Sequence, residues 1–405
     1  MHGDIPAVGG QIERDSAPDA ACRACDEYDG AGIHGFYNAE VSDIEPDSLS
    51  AALHRRLSTA IGVAGGWLPF DRYMAMALYE PGLGYYACGS RQFGLMPQSG
   101  SDFVTAPELS PLFGAALARQ VAQAMSACGV TEVFEFGAGS GALATQLLAA
   151  LGERVQTYSI IDLSGSLRAR QAETLARWGG RVRWLDTLPD SMHGVVVGNE
   201  VLDAMPVQLL AFDGEAWFER GVAVRGAAFV WADRPTVLRP PLDMPFEPGS
   251  VTEIHPQAEA FIRTLADRLR RGAAFFIDYG FPDREYYHPQ RLGGTLMCHR
   301  GHLADDNPLV DVGQKDITAH VNFSGVALAG QDAGLEVLGY CSQARFLLNC
   351  GLPELLAGAD VRTAVHAQKL IDEHEMGELF KVIGFARGVS FDALGFVAGD
   401  RCSML

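Results

Sequence analysis

Three glycines, Gly137, Gly139 and Gly141, alternate with Ala138 and Ser140 between an apolar run at 130–136 and a helical pattern at 142–151. Glycine at such a junction lets the backbone turn tightly and lets a ligand lie against it with no Cβ in the way. In an open α/β sheet, nucleotide-like ligands bind there, outside the carboxyl ends of the strands. A plain strand-to-helix turn would also use glycines, so the neighbouring carboxylates decide more. Asp162 closes the next apolar run, 21 residues past Gly141, where a carboxylate can accept from both hydroxyls of a ribose. Glu135 stands just before the glycines. The spacing departs from the dinucleotide pattern and no P-loop lysine follows, so nothing marks a pyrophosphate. A nucleoside carrying an ammonium and a sulfonium suits the set, which is the make-up of S-adenosylmethionine, and Glu135 would face its ammonium. Glu135, Gly137, Ala138, Gly139, Gly141, Asp162 and the adjacent Leu163 are the candidate cofactor residues. The competing readings are a helix N-terminal acid for Asp162 and a paired structural carboxylate for Glu135.

Further along, Asp186 and Thr187 follow a third apolar run and can reach an adenine amino group; an ordinary turn accounts for them equally. The fourth run ends in Gly198-Asn199-Glu200-Val201-Leu202-Asp203. Acids there face the cleft in which a methyl acceptor must sit. Glu200 and Asp203 are the candidate catalytic residues, with a helix-cap role competing for one of them, and Asn199 is assigned to the cofactor. Asp278 and His320 are reserves, His320 as a base near neutral pH, and Asp316 reads as the cap of a following helix. The loop 93–108, which contains Thr105, forms with Tyr85 and Tyr86 a candidate lid that would keep water out. Thr105 and Tyr85 are the cofactor candidates within it; simple packing is the alternative. No metal site is expected.

The elements that must hold these residues alternate. Strands are expected at 130–136, 157–163, 181–185 and 194–199, with helices at 142–151 and 165–178. Each strand is a continuous apolar run, as when both faces are covered. Alternation of this kind means a parallel sheet with right-handed crossovers. The expected fold class is therefore α/β, Rossmann-like, mostly parallel, with helices on both faces. Helices at 53–65, 70–78 and 111–128 precede it. Hairpin signals at 213–214, 221 and 225–226 place an antiparallel insertion at about 207–250. A helix at 256–269, a strand at 272–279, a loop at 281–315, a helix at 317–328, a strand at 335–340, helices at 353–370 and 375–380 and a last strand at 383–386 complete the reading. The division is a leader at 1–48, a helical and lid region at 49–128, the cofactor domain at 129–390 and a tail at 391–405.

Composition bounds the rest. The chain has 405 residues, 48% hydrophobic and 20% charged, with a net charge of −19. So acidic a surface repels phosphate backbones, which argues against nucleic acid as a partner. Residues 1–50 carry eleven acids and two arginines and read as a disordered leader. That stretch has neither the basic and apolar regions of a signal peptide nor the arginines of a mitochondrial presequence, and no apolar run is long enough to span a membrane. A cytoplasmic location with reduced, buried thiols follows. Cys22 and Cys25 form a lone CxxC, read as incidental. Oligomeric state is not readable; a homodimer through the antiparallel insertion is the option noted.

Taken together, several stretches resemble the MidA-like methyltransferase family, whose mitochondrial members are complex I assembly factors and protein arginine methyltransferases. They are Tyr79-Glu80-Pro81-Gly82-Leu83-Gly84-Tyr85-Tyr86, Asp102-Phe103-Val104-Thr105-Ala106-Pro107-Glu108, the glycine motif with Glu135, Gly198 to Pro206, Ile277-Asp278-Tyr279-Gly280 and Asp316 to Phe323. The likeness spans about 50–390. One departure is Met297 after Gly294-Thr295-Leu296, where the family usually has a basic residue. The resemblance implies a class I methyltransferase fold, S-adenosylmethionine as cofactor with S-adenosylhomocysteine as product, and arginine of a protein as acceptor. A small-molecule O- or N-methyltransferase and a non-catalytic assembly factor on the same scaffold are the alternative expectations.

Overall fold

A computed structural model describes residues 46–88, 104–162, 165–301 and 303–405. The leader up to residue 45, Cys22, Cys25, residues 93–103 of the expected lid and Leu163 lie outside the described residues.

The central sheet is built from β1 (Glu132–Phe136), β2 (Thr157–Ile161), β3 (Val182–Leu185), β4 (Met192–Asn199), β5 (Leu269–Phe281), β6 (Glu336–Ser342) and β7 (Phe380–Arg387). Their spatial order is β6-β7-β5-β4-β1-β2-β3. β1 to β5 run parallel, and β7 runs antiparallel to both of its neighbours. From β1 the chain first moves outward through β2 and β3, then returns to β4 on the other side. The crevice between β1 and β4 is therefore a topological switch point, where open α/β sheets bind their ligands.

Seven helices matter for the packing: α1 (Pro46–Val63), α2 (Phe70–Tyr79), α3 (Pro111–Cys128), α4 (Ala142–Leu151), α5 (Gly165–Thr174), α6 (Pro256–Arg268) and α7 (Phe323–Asp332). Strand side chains alternate between faces. Val195, Val197, Ala273 and Phe275 pack with α3 and α4 on one face. Val196, Ala274 and Phe276 pack with α6 and α7 on the other. This double covering is why the strands read as unbroken apolar runs. α3 keeps its expected bounds because Ser110 accepts from the Leu112 amide at its start and Gly129, at φ +66°, ends it.

A second, antiparallel sheet covers the N-terminal side. It joins Leu68–Pro69, Gln208–Phe212, Trp217–Arg225, Ala228–Pro235 and Val251–Ile254. Its apolar face meets α1 and α2 in a third core cluster. Gly221 does not mark a turn, as the sequence reading had it, but lies inside one strand, Trp217–Arg225. The glycine is required because a Cβ there would fall on the Leu68 carbonyl oxygen and the Trp67 ring.

Three other expectations change. Residues 317–322 are extended, and α7 begins at Phe323, capped by the Asn322 side chain bound to the Gly325 amide. Asp316 therefore caps nothing; it is a buried strand residue that accepts from the Tyr86 hydroxyl at 2.6 Å. The loop 281–315 contains strands Met297–Arg300 and Leu303–Asp305, which pair into a small sheet with Asp316–Thr318. The helix expected at 353–370 splits into Leu352–Leu356 and Val361–Lys369, the second capped by Asp360. Cys128, Cys298, Cys341 and Cys350 are buried free thiols. Among the described residues, no helix is long and apolar enough to cross a membrane.

Candidate active site

The glycine loop after β1 owes its path to backbone angles that L side chains rarely adopt. Gly137, Gly139 and Gly141 have φ of +63°, +54° and +84°. The Gly137 amide donates to the Ile161 carbonyl at 3.3 Å, which pins the loop to the end of β2. Gln171, fully buried on α5, donates to the Gly139 carbonyl at 3.0 Å and to Asp162 Oδ2 at 2.7 Å. Trp184 of β3 in turn donates to Gln171 Oε1 at 2.9 Å. One amide side chain thus sets the distance between the glycine loop and the carboxylate of β2.

Glu135 is buried at the end of β1 and accepts from the Tyr158 hydroxyl at 2.6 Å. Burial pushes its carboxyl up to about 8; the Tyr158 bond opposes this and the neighbouring Asp162 adds to it. A cleft of about 330 Å³ opens here. Its walls include Glu135, Gly137, Ala138, Gly139, Ser140, Leu143 and Asn199 on the sheet side, and Thr105, Pro107 and Glu108 opposite. The opposite wall is held by Gln146 of α4, which donates to the Pro107 carbonyl at 2.7 Å, and by the Ser140 hydroxyl, which donates to the Glu108 carboxylate.

On the β4 side, Glu200 takes a left-handed backbone conformation, φ +56°, which it shares only with Asp311 among the described non-glycine residues. Strain of this kind persists where the surroundings over-determine it. Here its amide donates to the Ile277 carbonyl at 2.8 Å and its Oε1 accepts from Asn199 Nδ2 at 2.8 Å. Asp278, at the end of β5, accepts on Oδ2 from the amides of Val201, Leu202 and Asp203 at 3.0, 2.8 and 3.3 Å. Burial and the adjacent Asp203 push the Asp278 carboxyl upward, the Leu202 amide opposes, and Glu200 adds to the rise. The Tyr279 hydroxyl donates to Asp203 Oδ2 at 2.6 Å. Asp278 thus shapes the turn on which Glu200 and Asp203 stand.

Most of the expected residues come together. Glu135, Gly137, Ala138, Gly139, Thr105 and Asn199 line one cleft, with Asp162 at its β2 side and Gly141 opening α4 behind it. Glu200, Asp203 and Asp278 form one buried acidic turn. Others do not join. Asp186 and Thr187 are exposed, and Asp186 pairs with Arg168 at 2.5 Å on the surface. Tyr85 is buried edge-on against Tyr86 and does not line the cleft. His320 packs edge-on against Tyr279, and burial first, then the Arg291 and Lys381 charges, lowers its imidazole to about 3. That is too weak for a base working near neutral pH. Gln171, Tyr158, Ser140 and Tyr279 escaped the sequence reading, because a single buried polar residue leaves no periodic mark.

S-adenosylmethionine fits this arrangement. Asn199 Oδ1 is buried at the cleft and accepts no hydrogen bond. With Glu135, which lines the same cleft, it forms a pair of oxygen acceptors of the kind an ammonium would take. Relatives decide the matter. A family model described as an S-adenosyl-L-methionine-dependent methyltransferase matches residues 116–341. The chain belongs to this family of MidA-like methyltransferases.

The methyltransferase is 53% identical to a Burkholderia thailandensis protein crystallised with S-adenosyl-homocysteine bound; the match covers 90% of this chain and 100% of that one, with a TM-score of 0.86. A second crystal structure from the same organism is 52% identical, with a TM-score of 0.82 and the same coverage. The protein arginine methyltransferase NDUFAF7, mitochondrial, of Danio rerio is 27% identical over 382 residues, 82% of this chain and 86% of its own. Its Mus musculus counterpart is 28% identical over 328 residues, 71% of either chain. The enzyme is thus a methyltransferase with S-adenosylmethionine as its cofactor, on a Rossmann-like fold carrying an antiparallel addition.

Proposed function

We propose that the enzyme methylates an arginine side chain of a protein. The observation that carries this reading is the turn after β4. Two buried carboxylates, Glu200 and Asp203, stand there beside the cofactor cleft, on a backbone held by Asp278. A guanidinium is cationic and a weak nucleophile, and carboxylates that bind it can orient one nitrogen and draw charge from it. The names of the curated relatives at 25–28% identity support the same acceptor.

Bound S-adenosylmethionine supplies a methyl group on a sulfonium, which leaves as a neutral thioether. The protein's task is alignment. Glu135 and Asn199 Oδ1 would hold the ammonium, Asp162 would hold the ribose hydroxyls, and the glycine loop would allow the close approach of the backbone. Glu200 and Asp203 hold the guanidinium with one nitrogen in line with the methyl carbon. As the nitrogen–carbon bond forms and the carbon–sulfur bond breaks, that nitrogen loses one proton, which the carboxylate bound to it accepts before passing it to water.

The test is to incubate the enzyme with labelled S-adenosylmethionine and lysate from a strain lacking it, and map the label by mass spectrometry. Methyl on arginine is expected, with Glu200→Gln and Asp203→Asn each slowing transfer about 100-fold. Label confined to the small-molecule fraction, or unchanged rates in both variants, would sink the reading.

A further inference from the structure

At the carboxyl edge of the sheet, among the described residues, one buried guanidinium nitrogen has no hydrogen-bond partner. Arg291 stacks over Phe281, its Cζ 4.5 Å from the ring centroid. Stacking occupies the face of a guanidinium and leaves its in-plane N–H groups free to donate. Arg291 Nε is fully buried with no acceptor, and among the described residues its guanidinium makes no ion pair. A desolvated donor of this kind is costly to leave unsatisfied, so the position calls for an acceptor from outside the chain.

Two more groups surround the same ring. The His320 ring lies 5.1 Å from that of Phe281, and its Nδ1 is buried without a partner. Lys381 Nζ lies 5.9 Å from the Phe281 centroid. Two of its three N–H groups go to the Glu378 and Leu379 carbonyls. Glu378 pairs with Lys381 at 3.9 Å but is shared with Arg401, onto which its carboxylate forks, and Glu285 is exposed; no such acid pairs with Arg291 among the described residues. A cationic cluster is against the grain of a chain with a net charge of −19. The low basicity of His320, driven by burial and then by Arg291 and Lys381, reports the same positive potential.

Its place in the fold ties the cluster to the reaction. Phe281 is the last residue of β5, and Tyr279, two residues earlier, donates to Asp203 while its ring packs 5.1 Å from that of His320. The acceptor carboxylates and the cluster thus share one edge, with a single tyrosine between them.

We propose that Arg291, His320 and Lys381 around Phe281 form a carboxylate-binding subsite beside Glu200 and Asp203, so that the enzyme selects acceptors bearing an anionic group close to the methylated arginine. The arginine half of this rests on the proposed function; the anion half does not. The fork of Arg291 would hold the carboxylate in two parallel hydrogen bonds, neutral His320 would lend one N–H, and Lys381 would add its charge.

The anion half is tested by following the His320 imidazole by NMR in the full chain with S-adenosylhomocysteine bound, titrating sodium acetate against sodium chloride at equal ionic strength. His320→Asn assigns the signal. A saturable shift with acetate alone is expected, with a midpoint about tenfold weaker in Arg291→Gln and intermediate in Arg291→Lys, which keeps the charge and loses the fork. No saturable shift, or the same midpoint in the variants, overturns the subsite. If Arg291→Gln fails to bind S-adenosylhomocysteine and so has not folded, Arg291→Lys alone decides by the same criterion. A second arm compares arginine peptides with glutamate or glutamine two to four residues away. A KM about tenfold higher for the glutamine peptide in the wild type, and equal KM values in Arg291→Lys, are expected. Equal KM values in the wild type would overturn the selection. Failure to methylate any arginine peptide counts against the arginine reading and leaves the acetate titration to judge the subsite.

Discussion

Glu135 is held protonated near pH 7 in the free enzyme, because burial raises its carboxyl from 4.5 to about 8. An ammonium beside it would restore the charged form, so cofactor binding should expel a proton. Calorimetry with S-adenosylhomocysteine at pH 6.5 in buffers of differing ionisation enthalpy should show about one proton released, and affinity should climb with pH until about 8 and then level. Glu135→Gln should abolish both. The sign for the free protein is opposite. Its folded state binds the proton more tightly than the unfolded chain, so the contribution of Glu135 to stability is fully present below about 4.5 and is lost as pH rises towards 8. Gln171 acts differently. Its replacement by leucine removes the bonds to Gly139 and Asp162, and should weaken cofactor binding about tenfold while leaving kcat at saturating cofactor unchanged. The glycines, Glu135 and Asp162 were legible because their spacing is tied to a strand end. Gln171 and Tyr158 were not, since only the fold brings them to those groups. Asp186 stands apart from the cleft because Arg168, also brought by the fold, pairs with its carboxylate at the surface.

At the scale of elements, the sequence reading succeeded where burial on both faces makes a strand a continuous apolar run and where a cap closes a helix, as in β1, β4, α3 and α4. It failed where a neighbour overrides local pattern. Ile317 and Val321 could belong to a helix or a strand; pairing with Met297–Arg300 and β5 makes them extended. Gly221 looked like a turn because its partner, Pro69, is far away in sequence. Gly221→Ala should push the Leu68–Pro69 strand off the sheet and lower stability by about 1–3 kcal/mol in denaturant unfolding, with a smaller effect on cofactor affinity. The turn after β4 is the opposite case, organised by one buried side chain. Asp278→Ala leaves the Val201 and Leu202 amides without their acceptor. It should cost about 2–4 kcal/mol and abolish turnover, whereas Tyr279→Phe, which removes one hydrogen bond to Asp203, should lower kcat with little change in melting temperature.

For the whole molecule, three core clusters have to be in place for one cleft to exist: two on the faces of the central sheet, and a third under the antiparallel cover. Cofactor binding should therefore stabilise the entire chain. S-adenosylhomocysteine at 100 times its Kd should add about 2.7 kcal/mol. At one fixed concentration of S-adenosylhomocysteine, the rise in melting temperature over the ligand-free protein should be larger at pH 8 than at pH 6, because Kd falls as Glu135 loses its proton; equal rises would contradict that protonation. The parallel sheet and its helices were legible as alternation along the chain; the union of the N-terminal helices with the hairpin strands was not, because it pairs segments that local pattern treats separately. The register of Leu68 with Val222, 154 residues apart, also has a meaning in time. A ribosome adding about 5–20 residues each second delivers Val222 roughly 8–30 s after Leu68. For that interval α1, α2 and the Leu68–Pro69 strand must wait with their apolar faces uncovered, so the first of the described elements to be made are among the last to be sheltered.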